Sequence, residues 1–274
     1  MKLPKFARGI LLPTLLSASL TLTGCAAKPT NTPTAAESAS PELASFYNQT
    51  ITFKSCGDKL SCTRVNVPLD YSKPTEGSIS LAVVKYSTVK NAPLGALLIN
   101  PGGPGASGYD WVINQAPPLA SKRIAKNYDI VGFDPRGVQH STAVQCYSSA
   151  KLDEFLYQVN PPPWGSEQDV AASRQSIKEF GQACLQNTGN LLGQIDTISA
   201  AKDLDVIRAV LKQNKLNYLG YSYGTLLGAT YANLFPQKVG RFVLDGAVDP
   251  SVSDEVQTQN QLRGFDLALR DYLA

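Results

Sequence analysis

Histidine is nearly absent from the sequence, because His140 is the only one among 274 residues. The five cysteines are spread along the chain and form no Cys/His cluster with the spacing of metal ligands. Transition-metal sites in proteins are built mainly from such residues. The sequence therefore predicts no metal site and no cofactor.

Long apolar runs and an uneven charge are also lacking. The most apolar stretch, residues 10–20, is too short to cross a bilayer. The formal charge of +3 comes from three basic residues in the first 24; the other 22 Lys and Arg match 22 Asp and Glu. This balance argues against a nucleic-acid partner and against an acidic solvating tail.

The N-terminus reads as an export signal. Three basic residues precede the short apolar run, and Leu22-Thr23-Gly24-Cys25 follows it as a lipobox. We expect residues 1–24 to be a signal peptide and Cys25 to carry lipid on the outer face of a bacterial cell membrane. An ordinary secretory signal with a chance cysteine is the alternative. Residues 25–42 are rich in Ala, Thr, Ser and Pro, and so are predicted to be a flexible tether.

The most informative motif is Gly220–Gly224, which reads Gly-x-Ser-x-Gly. A strand-like run leads into it and a helix-like run, 225–234, leads out. This context is that of a nucleophile elbow, in which a serine sits on a strained turn between small neighbours. Ser222 is then the predicted nucleophile, and the backbone N–H of Tyr223 is a predicted oxyanion donor. A glycine-rich turn with an incidental serine is the simpler alternative.

A second motif is the glycine-rich loop at residues 100–108, which follows a short apolar run at 96–99. An α/β-hydrolase places its other oxyanion donor on such a loop. A phosphate-binding loop is excluded because no Gly-Lys-Ser/Thr follows and Gly-x-Gly-x-x-Gly is absent from this segment. A plain turn remains the structural alternative.

Three segments together resemble exported bacterial tripeptidyl aminopeptidases, relatives of prolyl iminopeptidase within the α/β-hydrolase fold. They are Gly-Gly-Pro-Gly at 102–105, Gly-Phe-Asp-Pro-Arg-Gly at 132–137 and Gly-Tyr-Ser-Tyr-Gly-Thr at 220–225. The resemblance covers about 62–250. It implies a serine exopeptidase that releases short N-terminal peptides, with Gly103 as the oxyanion glycine. The iminopeptidases have histidine where this chain has Pro101, a departure that the tripeptidyl branch shares.

Strands alternate with helices along the chain, which predicts a mostly parallel sheet with helices on both faces. We predict the hydrolase core at 43–252 and the first helix of a lid at 253–274. Predicted strands are 63–67, 78–86, 96–100, 128–133, 216–220 and 241–245. Predicted helices are 107–115, 151–158, 168–186, 198–213 and 225–235, the fourth with Thr197 as its N-cap.

Four cysteines remain if Cys25 is lipidated: Cys56, Cys62, Cys146 and Cys184. An even number in an exported chain predicts two disulfides. Three connectivities are open. We favour the local pair Cys56–Cys62, which leaves Cys146–Cys184 to close a longer loop.

The general base is the missing part. In this fold the triad runs Ser, then Asp or Glu, then His, whereas His140 precedes Ser222. We therefore expect His140 to be a surface-loop residue. Asp245 and Asp249 follow the strand after the elbow, where some hydrolases place the acid. The resemblance instead implies an acid and a histidine beyond Ala274, after the lid or on a separately encoded C-terminal half.

Two further residues, Asp134 and Arg136, are expected to fix their loop rather than to act chemically. Three functions remain open at this stage. The first is a lipid-anchored serine aminopeptidase acting on peptides, present here in part. The second is an inactive hydrolase-like binding lipoprotein, and the third is an esterase or lipase on the same fold.

Overall fold

The computed structural model describes residues 40–119, 122–159 and 163–274. The predicted signal peptide, the lipidation site at Cys25 and most of the tether lie outside these residues. No helix within the described part of the chain is long and apolar enough to cross a membrane.

In the described residues, seven strands form one mixed sheet in the order β1-β2-β3-β5-β4-β6-β7. The pairs β1–β2, β2–β3 and β3–β5 are antiparallel. The pairs β5–β4, β4–β6 and β6–β7 are parallel. The strands are β1 (Lys54–Gly57), β2 (Leu60–Pro68), β3 (Ser78–Tyr86), β4 (Ala96–Asn100), β5 (Asp129–Phe133), β6 (Leu216–Tyr221) and β7 (Val239–Asp245).

Helices cover both faces of this sheet. The helices of the described residues are α1 (Ala44–Tyr47), α2 (Gly108–Leu119), α3 (Lys122–Asn127), α4 (Ser149–Tyr157), α5 (Glu167–Thr188), α6 (Thr197–Val210), α7 (Tyr223–Leu234) and α8 (Asp254–Leu273), and α2, α6 and α7 pack on the sheet. Short 3-10 segments occur at Pro41–Leu43, Gly189–Gln194 and Pro236–Lys238.

The core has two layers because side chains along a strand alternate between the faces of the sheet. On β4, Leu98 packs into the cluster that contains Leu204 of α6 and Leu227 of α7. Its neighbour Ile99 packs into the opposite cluster, with Val112 of α2. All five of these side chains are almost fully buried. The sheet is therefore enclosed on both sides, as the sequence predicts for an α/β-hydrolase.

Every predicted strand and helix is present, with end shifts of a few residues. The sequence analysis missed β1, whose four residues are all exposed, and the short helices α1 and α3. The predicted N-cap of α6 is wrong by one residue. Asp196 is the cap, since its side chain accepts a hydrogen bond from Ser199 N–H at 2.8 Å, and Thr197 is the first helical residue.

Two disulfides join Cys56 to Cys62 and Cys146 to Cys184, the pairing that the sequence analysis favours. The first clips the β1–β2 hairpin. The second ties the end of α5 back to the segment before α4. Helix α8 begins after its N-cap Ser253 and has no buried residue; its role as the start of a lid stays a prediction.

Candidate active site

Ser222 occupies a backbone conformation that non-glycine residues rarely adopt, with φ +52° and ψ −122°. It lies between the last residue of β6 and the first residue of α7. Its N–H donates to the carbonyl oxygen of Asp245 at 2.9 Å, and its own carbonyl accepts from Thr225 N–H at 2.8 Å. Strain of this kind is held only where the surroundings enforce it and is concentrated at functional sites. The geometry is that of the predicted elbow.

The glycines beside Ser222 are required by close packing of the backbone. A Cβ added to Gly224 would lie 2.7 Å from the carbonyl oxygen of Asn100, and one added to Gly220 would overlap the carbonyl of Gly224. Real Cβ atoms do not approach backbone atoms this closely. Larger residues at either position would push β6, α7 or the end of β4 out of place.

The glycine-rich loop meets the elbow because β4 and β6 are adjacent parallel strands, with Asn100 opposite Gly220. Gly102 has φ +96°, and a Cβ added there would lie 2.5 Å from the carbonyl oxygen of Tyr221 and 3.2 Å from the nitrogen of Tyr223. Since the carboxyl ends of parallel strands face the same edge, both loops open onto one site.

Two backbone donors are available at this junction. The N–H of Gly102 is already used, because it donates to Asn100 Oδ1 at 2.9 Å. Among the described residues, the N–H groups of Gly103 and Tyr223 donate to no protein acceptor. These are the two donors that the sequence analysis selected. Unpaired N–H groups at the first turn of a helix, as at Tyr223, favour an anion nearby.

The side chain of Tyr223 is held from a second helix. Its phenolic oxygen lies 2.9 Å from Thr197 Oγ1, at the start of α6. Sequence reasoning missed this contact and the hydrogen bond from Gly102 N–H to Asn100 Oδ1. Asn100 belongs to the motif but carries no signal of its own, and the Thr197 contact depends on how α6 packs against α7.

His140 is not brought to Ser222. Its Nε2 lies 2.9 Å from Asp110 Oδ1, and its ring packs on Tyr109 with centroids 4.8 Å apart. The side chain is 46% exposed and lines a depression with residues of β1 and β2, such as Arg64, rather than residues of the elbow. The expectation of a surface-loop histidine is confirmed.

Asp134 is fully buried and holds loops together. Its carboxylate accepts from Ser107 Oγ at 2.5 Å, Tyr109 N–H at 3.2 Å and His140 N–H at 2.9 Å. It therefore links the start of α2 to the segment after β5. A carboxylate with three donors acts as a structural anchor, as expected from the sequence.

Arg136 is also structural. It forms a two-pronged ion pair with Asp203 of α6, with both N–O distances 2.7 Å, and it donates to the carbonyl oxygens of Pro68, Leu69 and Gln194. Burial opposes the charge, but the hydrogen bonds and the charge of Asp203 outweigh it and raise the pKa of Arg136. The pair fixes the floor of the site.

Neither candidate acid contacts a histidine. The carboxylate of Asp249 accepts from the N–H and Oγ of Ser251, which lowers its pKa, and Asp245 is exposed at the end of β7. Within residues 40–119, 122–159 and 163–274, no three His, Cys, Asp or Glu side chains are grouped to hold a metal ion.

Comparison with known proteins places this geometry in a family. Residues 95–273 match the family model described as alpha/beta hydrolase fold. The chain is 45% identical to a tripeptidyl aminopeptidase of Streptomyces lividans over 199 residues, which are 70% of this chain and 36% of that protein. It is 40% identical to serine protease Hip1 of Mycobacterium tuberculosis over 215 residues, 78% of this chain and 41% of that protein.

An enzyme named carboxylesterase B, also of Mycobacterium tuberculosis, is 39% identical over 215 residues, which are 78% of this chain and 41% of that protein. The chain thus spans about two fifths of the length of the relatives that it matches. With the mixed seven-stranded sheet and the strained serine between β6 and α7, the chain belongs to the alpha/beta hydrolase family.

Proposed function

We propose that this chain carries the nucleophile and the oxyanion hole of a serine aminopeptidase that releases short peptides, of the tripeptide size, from free N-termini. The observation that carries the proposal is the strained Ser222, with the unpaired N–H groups of Tyr223 and Gly103 on the two loops that meet at it. The similarity to a tripeptidyl aminopeptidase and to a serine protease supports the choice of peptide substrates.

The chemistry follows from these groups. Ser222 Oγ attacks the scissile carbonyl carbon while its proton passes to a base, and the carbonyl oxygen becomes an oxyanion held by the two N–H groups. Collapse of this intermediate breaks the C–N bond, and the leaving amine takes the proton from the base. Water then hydrolyses the acyl-enzyme by the same steps. The N-terminus of α7 favours the negative charge that develops at the oxyanion.

The proposal includes a base and an acid from outside these 274 residues. His140 is turned toward Asp110 and lines a different depression, and it is the only histidine in the sequence. A histidine supplied after the lid, by a continuation of the chain or by a separately encoded C-terminal half, would follow the usual order of the fold. The chain alone is then expected to turn over substrate very slowly, with residual catalysis from the oxyanion donors.

The test uses a chromogenic tripeptide amide with a free N-terminus. The 274-residue chain, its Ser222→Ala and His140→Ala variants and a longer form with the downstream histidine are compared. We expect rapid turnover only in the longer form, and its loss on Ser222→Ala. Rapid turnover by the short chain that His140→Ala abolishes would refute the proposed external base.

An esterase is the second candidate, because one relative is named a carboxylesterase. An ester of the same tripeptide, and a simple acyl ester without a peptide, separate the two in the longer form. Turnover of the acyl ester with none of the amide would favour the esterase. If the longer form turns over neither the esters nor the amide, the result would favour a binding protein that keeps only the hydrolase fold.

A further inference from the structure

A cleft of about 370 Å³ opens beside the proposed oxyanion hole. Gly102 and Tyr223 line it, together with Ile195, Asp196 and Thr197 where α6 begins. Ser222 and Gly103 do not line the cleft themselves, but Tyr223, the residue that directly follows Ser222, does. Its size is in the range of pockets that bind small ligands.

The cleft carries one unbalanced negative charge. Arg136 lines it, but its charge is matched by Asp203 in the buried ion pair. Asp196 adds a second carboxylate, which is exposed and accepts one hydrogen bond, from Ser199 N–H to Oδ1. Among the described residues, no cationic side chain forms an ion pair with Asp196. A cation entering the cleft would therefore meet a carboxylate that no other cation occupies.

The same cleft has a buried polar group without a partner. Asn100 is 1% exposed and lines the cleft, and its Oδ1 accepts from Gly102 N–H, but its Nδ2 donates to no atom of the described chain. A buried donor left unpaired is costly, so it favours an acceptor nearby. A peptide with a free N-terminus brings the cation that Asp196 lacks, and its carbonyl oxygens are acceptors that Asn100 Nδ2 reaches once the buried amide turns toward the cleft.

We propose that this cleft is the subsite for the N-terminal residues of the peptide, and that the Asp196 carboxylate pairs with the free α-ammonium group. The inference rests on the proposed function, because only an aminopeptidase would place the free N-terminus of its substrate, on the acyl side of the scissile bond, close to the nucleophile. Peptides whose N-terminus is acylated lack the positive charge, so they are poorer ligands. The remaining walls, including Pro104 and Val138, are apolar and suit uncharged side chains.

The test measures binding, so it does not depend on turnover. The full chain with Ser222→Ala is titrated by NMR with a tripeptide amide and, separately, with its N-acetylated form. We expect the free form to bind at least about threefold more tightly, the effect of one partly exposed ion pair. Asp196→Asn should remove that preference while keeping the fold, because asparagine is an equally good N-cap.

Asp70→Asn is the matched control, since that carboxylate is partly exposed, lies outside the cleft and, like Asp196, accepts a hydrogen bond from a nearby backbone N–H. It should leave the preference for the free form unchanged. Equal binding of the two peptides, a preference that survives Asp196→Asn, or no binding of either peptide would each overturn the inference. Ser222-dependent turnover of acetylated and free peptides at equal rates would overturn it too, yet leave the proposed hydrolase function standing.

Discussion

The phenolic oxygen of Tyr223 and the hydroxyl oxygen of Thr197 lie 2.9 Å apart, which ties the first residue of α7 to the first residue of α6. The N–H of Tyr223 is one of the two proposed oxyanion donors. The direction of this N–H therefore depends on a contact between the Tyr223 side chain and a side chain 26 residues earlier in the chain.

Replacing Thr197 with valine should lower the free energy of unfolding by about 0.5–1.5 kcal/mol, the usual net value of one hydrogen bond. Thr197→Ser keeps the hydroxyl and should retain most of that stability. Urea unfolding of Thr197→Val, Tyr223→Phe and the double variant measures the coupling. If the two single losses simply add, the two hydroxyls do not interact.

Glycines at 102 and 105 form a matched pair, because their φ angles are +96° and +97°. A Cβ at Gly102 would lie 2.5 Å from the carbonyl oxygen of Tyr221, whereas one at Gly105 would meet nothing within 4 Å. Gly105→Ala should cost only backbone strain, about 1–3 kcal/mol. Gly102→Ala should cost at least about 1 kcal/mol more, since the loop must move away from the elbow. Urea unfolding of both variants measures the two losses of unfolding free energy. Equal losses would show that the close approach of Gly102 to Tyr221 is not maintained in solution.

High pH should destabilise the protein through its buried tyrosines. Burial raises the pKa of Tyr47, Tyr71, Tyr218 and Tyr231, whose phenols ionise near pH 10 in an unfolded chain. The folded state resists this ionisation, so the stability that they contribute is complete below about pH 10 and is lost as the pH rises above it.

The slope of the unfolding free energy against pH shows which tyrosine phenols cause this loss of stability. Each buried phenol should add about 1.4 kcal/mol per pH unit once the unfolded state is ionised. Tyr218→Phe should reduce the slope of unfolding free energy against pH by that amount, while Tyr157→Phe, at a 77% exposed position, should not. Urea unfolding between pH 8 and 11 gives the slopes. An unchanged slope in Tyr218→Phe would mean that its phenol ionises as readily in the folded state.

Cys25 is proposed to hold the mature protein on the membrane through lipid. Cys25→Ala should release the exported chain into the soluble fraction, because the tether and the core then lack an acyl anchor. Membrane fractions washed with high salt, from cells expressing either form, give the comparison. Retention of the Cys25→Ala protein after washing would contradict the lipid anchor.

The parts of the fold that repeat a local pattern could be predicted from the sequence. Strands β3 and β4 were predicted at their observed limits, since each is an apolar run that ends at polar or turn residues. Strand β1 could not be predicted, because its four exposed residues have no alternation and it is defined only by pairing with β2.

The candidate site also contains residues that could be predicted from the sequence and others that could not. Ser222 and Tyr223 can be selected from the sequence because the motif and the neighbouring periodicity occur within a few residues of one another, whereas Gly103 is selected only through the resemblance to tripeptidyl aminopeptidases. The sequence does not distinguish Asp196 from Thr197 as the N-cap of α6, since both residue types suit that position. The cleft beside the elbow joins β4, the loop after β5 and α6, and such long-range proximity leaves no pattern in a single sequence.

The hydrogen bond from Ser222 N–H to the carbonyl of Asp245 links the nucleophile to β7, the strand at the edge of the sheet. Fraying of that edge would release the amide of Ser222 to solvent before the interior strands open. The rate at which this amide exchanges its hydrogen for deuterium thus reports the integrity of β7. A partner that covers the edge should slow the exchange without touching Ser222.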